Sequence, residues 1–467
     1  MVPPDQIRQL QALVGPGNLL SAQEDLWCYA FDATDHIQAP AAVVFPGCAA
    51  EISQILRLAN RHGFPVTPRG AGTGRSGGAV PAPGGVVLVL TRLNRILEIS
   101  PEDLVAVVEP GVITGRLQAA VEEQGLYYPP DPSSADFCTL GGNVAECAGG
   151  AVAVQYGVTR DYVLGLQVVL PTGEIIETGA RTMKGVVGYD LTRLITGSEG
   201  TLGVITRIIL RLTPRPPARQ TLAAGFPDLE MAARAVSLIL RAGLVPTALE
   251  FMDRTTLNCV REMLPFRMTQ EIAALLLIAV DGHPHDVEER AGAMERFCRE
   301  QGAGMAIRAR TPAEAEVLWK ARRVMSPALR QVKPQKISED VAVPLSAIPR
   351  LVAALQEVSR RRGLPVASYG HAGDGNIHVN VLYDQKIPGE KEAAHQAVED
   401  IFSLVRQMDG TLSGEHGVGL TKAPYLEMEL SREAIALQQR LKRAFDPNNI
   451  MNPGKIFPPG RGRVTPP

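Results

Sequence analysis

The chain of 467 residues reads as an α+β protein of more than one domain, and three observations carry that reading. Strand and helix signals alternate along its length without the regular strand–helix–strand repeat of a doubly wound parallel sheet. An apolar fraction of 45% over this length supports a core too large for a single domain. A proline-stiffened stretch, Thr213-Pro214-Arg215-Pro216-Pro217-Ala218-Arg219, then separates residues 1–215 from the rest of the chain.

The elements run in this order. After an opening helical segment, residues 49–60 form an amphipathic helix with Ile52, Ile55 and Leu56 on one face. Residues 64–69 are a short strand running into a glycine loop, and residues 85–90 are the next strand. Residues 104–109 make a strand ended by Pro110-Gly111, residues 115–123 a helix ended by Gly125, and residues 163–176 a hairpin turning at Pro171-Thr172-Gly173. Beyond the proline stretch, helices near 231–242, 287–301 and 348–361 alternate with strands near 273–281 and 365–368, as expected for helices covering one sheet.

The loop Gly70-Ala71-Gly72-Thr73-Gly74-Arg75-Ser76-Gly77-Gly78-Ala79 lets backbone N–H groups turn inward around an anion. Gly72, Gly74 and Gly77 match G-x-G-x-x-G, but that dinucleotide fingerprint needs a helix at the loop, and Pro81, Pro83, Gly84 and Gly85 allow none. The loop joins strand to strand, with no Walker lysine. Small residues recur in Pro130-Asp131-Pro132-Ser133-Ser134, in Cys138 to Gly150 around Gly141-Gly142-Asn143, and in Gly197-Ser198-Glu199-Gly200-Thr201-Leu202-Gly203-Val204-Ile205. Three glycine-rich edges in one domain point to one long dinucleotide.

Three of the eight histidines fall in two short segments, Gly370-His371-Ala372-Gly373-Asp374-Gly375-Asn376-Ile377-His378-Val379-Asn380 and Ser413-Gly414-Glu415-His416-Gly417. Two histidines and a carboxylate are a common ligand set for a divalent metal with open positions, and a further histidine beside the carboxylate can move a proton near neutral pH. Seven residues apart on one strand, His371 and His378 would face opposite ways, but Gly373-Asp374-Gly375 is turn chemistry that can bring them together. A lone histidine is more often a satisfied core group; the clustering reverses that reading here.

Composition narrows the partners. With 47 basic and 49 acidic side chains, a net charge of −2 and no basic block, the chain is not built for nucleic acid. No transmembrane segment is expected: the longest apolar run, residues 272–280, is too short, and the N-terminus lacks a leader pattern, so the expectation is a cytoplasmic protein. Six cysteines without a C-x-x-C pair argue against a disulfide framework and against an iron–sulfur cluster in this chain, so electrons leaving it need a separate acceptor.

Together the three glycine-rich segments resemble the flavin domain of the vanillyl-alcohol oxidase and p-cresol methylhydroxylase superfamily. The histidine motifs, with Glu339-Asp340-Val341-Ala342-Val343-Pro344, Phe445-Asp446-Pro447-Asn448-Asn449 and Asn452-Pro453-Gly454-Lys455, are similar to the branch of D-lactate dehydrogenase, D-2-hydroxyglutarate dehydrogenase and the large flavin subunit of glycolate oxidase. The resemblance covers residues 41–457. It implies a two-part FAD-binding domain over 1–215, an α+β cap holding substrate over 216–410, and a C-terminal segment, 411–467, that returns to close the flavin and metal site.

It also implies site residues. Arg69, Gly70, Gly72, Thr73, Gly74, Ser76, Gly77 and Gly78 would line the FAD pyrophosphate, Pro132, Ser133, Gly141, Gly142 and Asn143 the flavin end, Gly203 and Ile205 the adenosine side, with Asn452 also at the cofactor. His371, His378 and Glu415 would hold zinc, manganese or iron, His416 would be the base, Arg322 would grip the substrate carboxylate, and Lys336 would add a second positive charge. The FAD would be non-covalent, since no histidine occurs between Pro65 and Gly78. Arg75 and Ala145-Glu146-Cys147 depart from the branch beside the flavin. The implied activity is oxidation of a small 2-hydroxy acid, with electrons passing to a partner flavoprotein, an iron–sulfur subunit or quinone, any membrane association being through that partner. The rivals are a non-catalytic FAD electron-transfer subunit and a non-redox flavoenzyme.

Overall fold

The computed structural model describes residues 2–266 and 271–457; Met1 and residues 458–467, the outer ends of the first and last predicted segments, lie outside the described residues. The chain divides into two compact units, one of Met1–Ala148, Val158–Arg215 and His416–Pro467, the other of Gly149–Gly157 and Pro216–Glu415. Two placements differ from the boundaries drawn on the sequence. Gly149–Gly157 goes with the second unit, where Gln155 Nε2 and the Tyr156 hydroxyl both donate to Asp281 at 3.0 Å. The closing segment joins the first unit from His416 rather than from residue 411.

In the first unit a four-stranded sheet runs in the order Leu19–Leu20, Ala42–Val44, Val86–Val89, Val66–Arg69. Helix Ala49–His62 covers it, with Ile52, Ile55 and Leu56 fully buried, each contributing roughly 1.5–3 kcal/mol by leaving water, and it stops at Gly63 in the left-handed region. Val66–Arg69 and Val86–Val89 are parallel neighbours. Residues 70–85 therefore form a crossover and not the hairpin that their glycines suggest, because a parallel pair needs about a dozen residues to return, and here they do so without a helix. The second sheet is antiparallel, in the order Ile96–Ser100, Val105–Val108, Val204–Arg211, Val163–Val169, Ile175–Gly179.

The second unit is a seven-stranded antiparallel sheet in the order Met305–Arg308, Ala218–Phe226, Ala274–Gly282, Ala248–Asp253, Val366–His371, Asn376–Tyr383, Gln335–Ala342. Helices Leu229–Arg241, Ile348–Arg362 and Glu390–Arg406 pack in series. Leu318 and Ala321 of helix Pro312–Arg323 and Met325 of the next turn pack on Met252, Ala367, Tyr369 and Leu382 of the sheet. That packing delivers Arg322 to the sheet face that carries the histidines. No helix among the described residues is long and apolar enough to cross a membrane.

Candidate active site

Strand register solves the problem the seven-residue spacing posed. Ala372–Asp374 and Gly375, the latter at φ +83°, turn the chain so that Val366–His371 pairs with Asn376–Tyr383, His371 opposite Asn376 and Tyr369 opposite His378. Because side chains two apart share a face, His371 and His378 end on the same face, ring centroids 5.2 Å apart. On the neighbouring strands Phe251 stands opposite Gly370 and Asp340 opposite His378, which puts Glu250 and Asp340 on that face too.

Glu415 meets the histidines from a loop. Its Oε1 lies 3.4 Å from His371 Nε2 and 3.5 Å from His378 Nε2, and one ligand atom from each of the three falls within 4.8 Å of the others. Two ligands each about 2.1 Å from one tetrahedral ion stand about 3.4 Å apart, so the donor set and its spacing fit a divalent cation. Asp340, fully buried, holds the loop: its carboxylate accepts from the Glu415 backbone N–H at 2.6 Å and from the Ser413 hydroxyl at 3.3 Å.

Glu250 is the residue that the sequence reading missed. It is wholly buried, with Oε1 2.6 Å from His371 Nδ1 and Oε2 2.5 Å from Arg322 Nε. Burial alone would raise its pKa, but the Arg322 guanidinium and His371 outweigh it and hold the carboxyl at about 2. His371 answers in kind: burial would lower its pKa, yet Glu250 and Glu415 raise it well above the ordinary value, so the cluster favours positive charge between its carboxylates. The signal in the sequence was a single acid inside the apolar run Ala248-Leu249-Glu250-Phe251-Met252, since a carboxylate buried in a strand needs partners.

Arg322 also lies over the Tyr369 ring, 4.8 Å from its centroid, and its Nη2 is buried without a partner. Both amide atoms of Asn380, two residues past His378 on the same face, are likewise unpartnered. Lys336 stands on that face as well, but its ammonium donates to the Ser326 carbonyl and hydroxyl at 2.7 Å each. His416 follows Glu415 directly and opens the last segment of the first unit. The turn after it is fixed by Glu199, which accepts from Val418 N–H and Gly419 N–H at 2.7 Å each.

The glycine-rich edges of the first unit are partly committed to protein neighbours. Arg69 Nη1 donates to the Phe31 carbonyl at 2.6 Å, and its guanidinium lies against Gly72, itself at φ +73°. A Cβ on Gly70 would strike Thr139 Oγ1; on Gly77 it would meet Leu420 at 3.0 Å and on Gly78 Glu146 Oε1 at 2.8 Å. Gly141, in helix Leu140–Glu146, sits against Pro110, where a Cβ would lie 2.5 Å from that ring, and a Cβ on Gly203 would lie 2.7 Å from Val168. Asn143 Nδ2 donates to Thr114 Oγ1 at 2.7 Å, and Ile205 is buried in its strand opposite Val168. Asn452 Nδ2 binds the carbonyls of Gly78 and Glu199 at 2.9 Å each, leaving its buried Oδ1 unpartnered.

Other positions are open. Gly74 has no neighbour closer than 3.9 Å to a Cβ, and the Ser76 hydroxyl is buried without a partner. Thr73, just before Gly74, is half-buried, Pro132 is half-buried and Ser133 exposed, and Gly142 donates to Thr139 Oγ1 at 3.4 Å. Open glycine backbone beside an orphaned hydroxyl is the arrangement a dinucleotide phosphate would use.

Residues 40–179 match the family model described as "FAD binding domain", and residues 215–456 the one described as "FAD linked oxidases, C-terminal domain". Glycolate oxidase subunit GlcD of Bacillus subtilis is 44% identical over 458 residues, covering 98% of this chain and 97% of that protein. D-2-hydroxyglutarate dehydrogenase of Stutzerimonas stutzeri is 35% identical, covering 98% of this chain and 100% of that protein. The solved structure of p-cresol methylhydroxylase with substrate bound superposes with a TM-score of 0.82 at 20% identity, covering 97% of this chain and 96% of the other, a likeness of fold. The chain belongs to the FAD-linked oxidases and is a flavin-dependent oxidoreductase with the fold of p-cresol methylhydroxylase.

Proposed function

We propose that this flavoprotein oxidises a small 2-hydroxy acid of the glycolate or D-lactate type to the 2-oxo acid. The observation that carries the reading is the convergence of His371, His378 and Glu415 on the face that receives Arg322, in a chain 44% identical to a protein named as a glycolate oxidase subunit. His371, His378 and Glu415 would hold zinc, manganese or iron, which when bound supplies Lewis-acid polarisation of the substrate hydroxyl. Bound FAD supplies the hydride acceptor. Arg322, with Nε on Glu250, offers Nη2 to the substrate carboxylate in a charge-assisted hydrogen bond. Lys336, steadied by Ser326, adds positive charge on the same face. His416, one peptide bond from Glu415, takes the hydroxyl proton as general base.

The name of the Bacillus subtilis relative, a subunit, supports a separate electron acceptor, whether a partner flavoprotein, an iron–sulfur subunit or quinone. The test is anaerobic mixing of the FAD- and metal-replete protein with glycolate, D-lactate, L-lactate and D-2-hydroxyglutarate, following bleaching of the oxidised flavin band. Rapid bleaching by one of them is expected and names the substrate class. Absence of bleaching by any, with FAD and metal bound, overturns the reading in favour of an electron-carrying or non-redox role.

A further inference from the structure

We infer that Glu250 is a positioning residue that sets both cation affinity and the orientation of Arg322, so that one buried carboxylate couples the two arms of the site. The inference rests on the cation reading above. Glu250 Oε1 is 2.6 Å from His371 Nδ1, and Oε2 is 2.5 Å from Arg322 Nε. A histidine that donates Nδ1–H to a carboxylate is fixed in the tautomer whose Nε2 carries a lone pair, and His371 Nε2 is the nitrogen that faces Glu415. In the other tautomer Nε2 holds the proton and ligates nothing. Glu250 thus selects the ligating form of His371 while fixing the plane of the guanidinium that leaves Nη2 unpartnered.

Glutamate meets both demands where its near relatives do not. A carboxylate accepts on both oxygens. Glutamine accepts on one and turns an NH2 toward the other donor, and aspartate is one methylene too short to span His371 and Arg322. The lever is rigid, because Glu250 sits mid-strand beside the His371 strand, and helix Pro312–Arg323 is pinned by Leu318 and Ala321 in the apolar cluster under it.

The test uses full-length, FAD-replete protein stripped of metal and titrated with zinc(II) or manganese(II) in the absence of substrate. Wild type is compared with Glu250→Gln and with the charge-balanced pair Glu250→Gln plus Arg322→Gln. The single variant should bind either ion about 10- to 100-fold more weakly, and the pair should bind no tighter than the single. At saturating metal the single variant should also show a raised KM for the acid that bleaches the flavin. Affinity in the single variant within about twofold of wild type would overturn the inference, and so would wild-type affinity in the pair, which would make Glu250 a counter-charge for Arg322 and no more. Should Glu250→Gln fail to fold, the pair, which leaves no buried net charge, carries the test. A wild-type protein that takes up no stoichiometric ion removes the cation reading itself; uptake by wild type with unchanged affinity in the variants removes only this inference.

Discussion

The histidine face of the second unit and the glycine edges of the first are built differently. On the histidine face, Glu250, His371, His378 and Asp340 stand on four adjacent strands, so register alone brings them onto one surface, and Glu415 is the single arm delivered by a loop. Among the glycine edges, loops carry most of the candidate contacts, and Gly70, Gly141 and Gly203 are glycine because Thr139, Pro110 and Val168 leave no room for a side chain. A ligand set on paired strands is thus specified by backbone geometry, whereas a glycine in a cofactor-type loop answers first to its protein neighbours.

His416 puts that contrast under the greatest strain, because it is a loop residue to which the proposed function gives the role of base. Under the proposed function, His416→Gln should slow flavin reduction by about 10²- to 10⁴-fold in stopped-flow, with metal content unchanged. Reduction at the wild-type rate would leave the strand-borne groups as the whole of the machinery.

Arg322→Met probes the strand side. It leaves Glu250 buried with only His371 as partner, and losing one member of a buried pair costs about 3–5 kcal/mol. Urea unfolding should register that loss. A cost below about 1 kcal/mol would mean that His371 alone satisfies Glu250. The glycine side is resolved by two neighbours in one helical turn. Gly141→Ala should cost about 1–3 kcal/mol through overlap with Pro110, while Gly142→Ala, which would meet only Thr139 Oγ1 at 3.3 Å, should leave the melting temperature nearly unchanged. If Gly142→Ala nonetheless weakens FAD retention, Gly142 faces the cofactor; equal cost at both positions would erase the distinction.

How much could be read from the chain divides along the same line. The helix at Ala49–His62, the Val163–Val169 and Ile175–Gly179 hairpin and the turn between the two histidines were legible, because periodicity and turn chemistry are local. The parallel pairing of Val66–Arg69 with Val86–Val89 was not, since a loop of glycines and prolines fits a hairpin or a crossover equally well. Glu250 was illegible as a partner because 121 residues separate it from His371, and only the sheet order brings them side by side. The motif around Asp446 and Asn452 was visible as a pattern, but its work is structural as well. Asp446 accepts from Ile450 and Met451 N–H at 3.0 and 2.8 Å, and Asn452 N–H donates to the Val66 carbonyl at 2.8 Å, tying the segment to the first sheet.

A smaller effect comes from setting Glu199 beside Glu250, two buried glutamates shifted in opposite directions. Glu250 has a guanidinium and an imidazole against it and is held at about 2, ionised at any working pH. Glu199 is raised by burial to about 6, because the Val418 and Gly419 N–H groups and the charges of Lys422 and Lys455 only partly offset the loss of water. Its ordinary value is 4.5. Between pH 4.5 and about 6 the folded protein therefore holds more protons than the unfolded chain, so this group's contribution to stability falls as pH rises through that window and is flat above it. The total is about 2 kcal/mol at 1.36 kcal/mol per pKa unit. Urea unfolding of the FAD-bound protein at intervals across the window should show the slope, and Glu199→Gln, neutral throughout, should lessen it by this amount and leave the share of Asp374, whose carboxyl burial also raises to about 6. A variant that keeps the full wild-type slope would place the titrating group elsewhere, and a change of opposite sign on replacing Glu199 would mean that the two backbone donors hold it ionised as firmly as Arg322 holds Glu250.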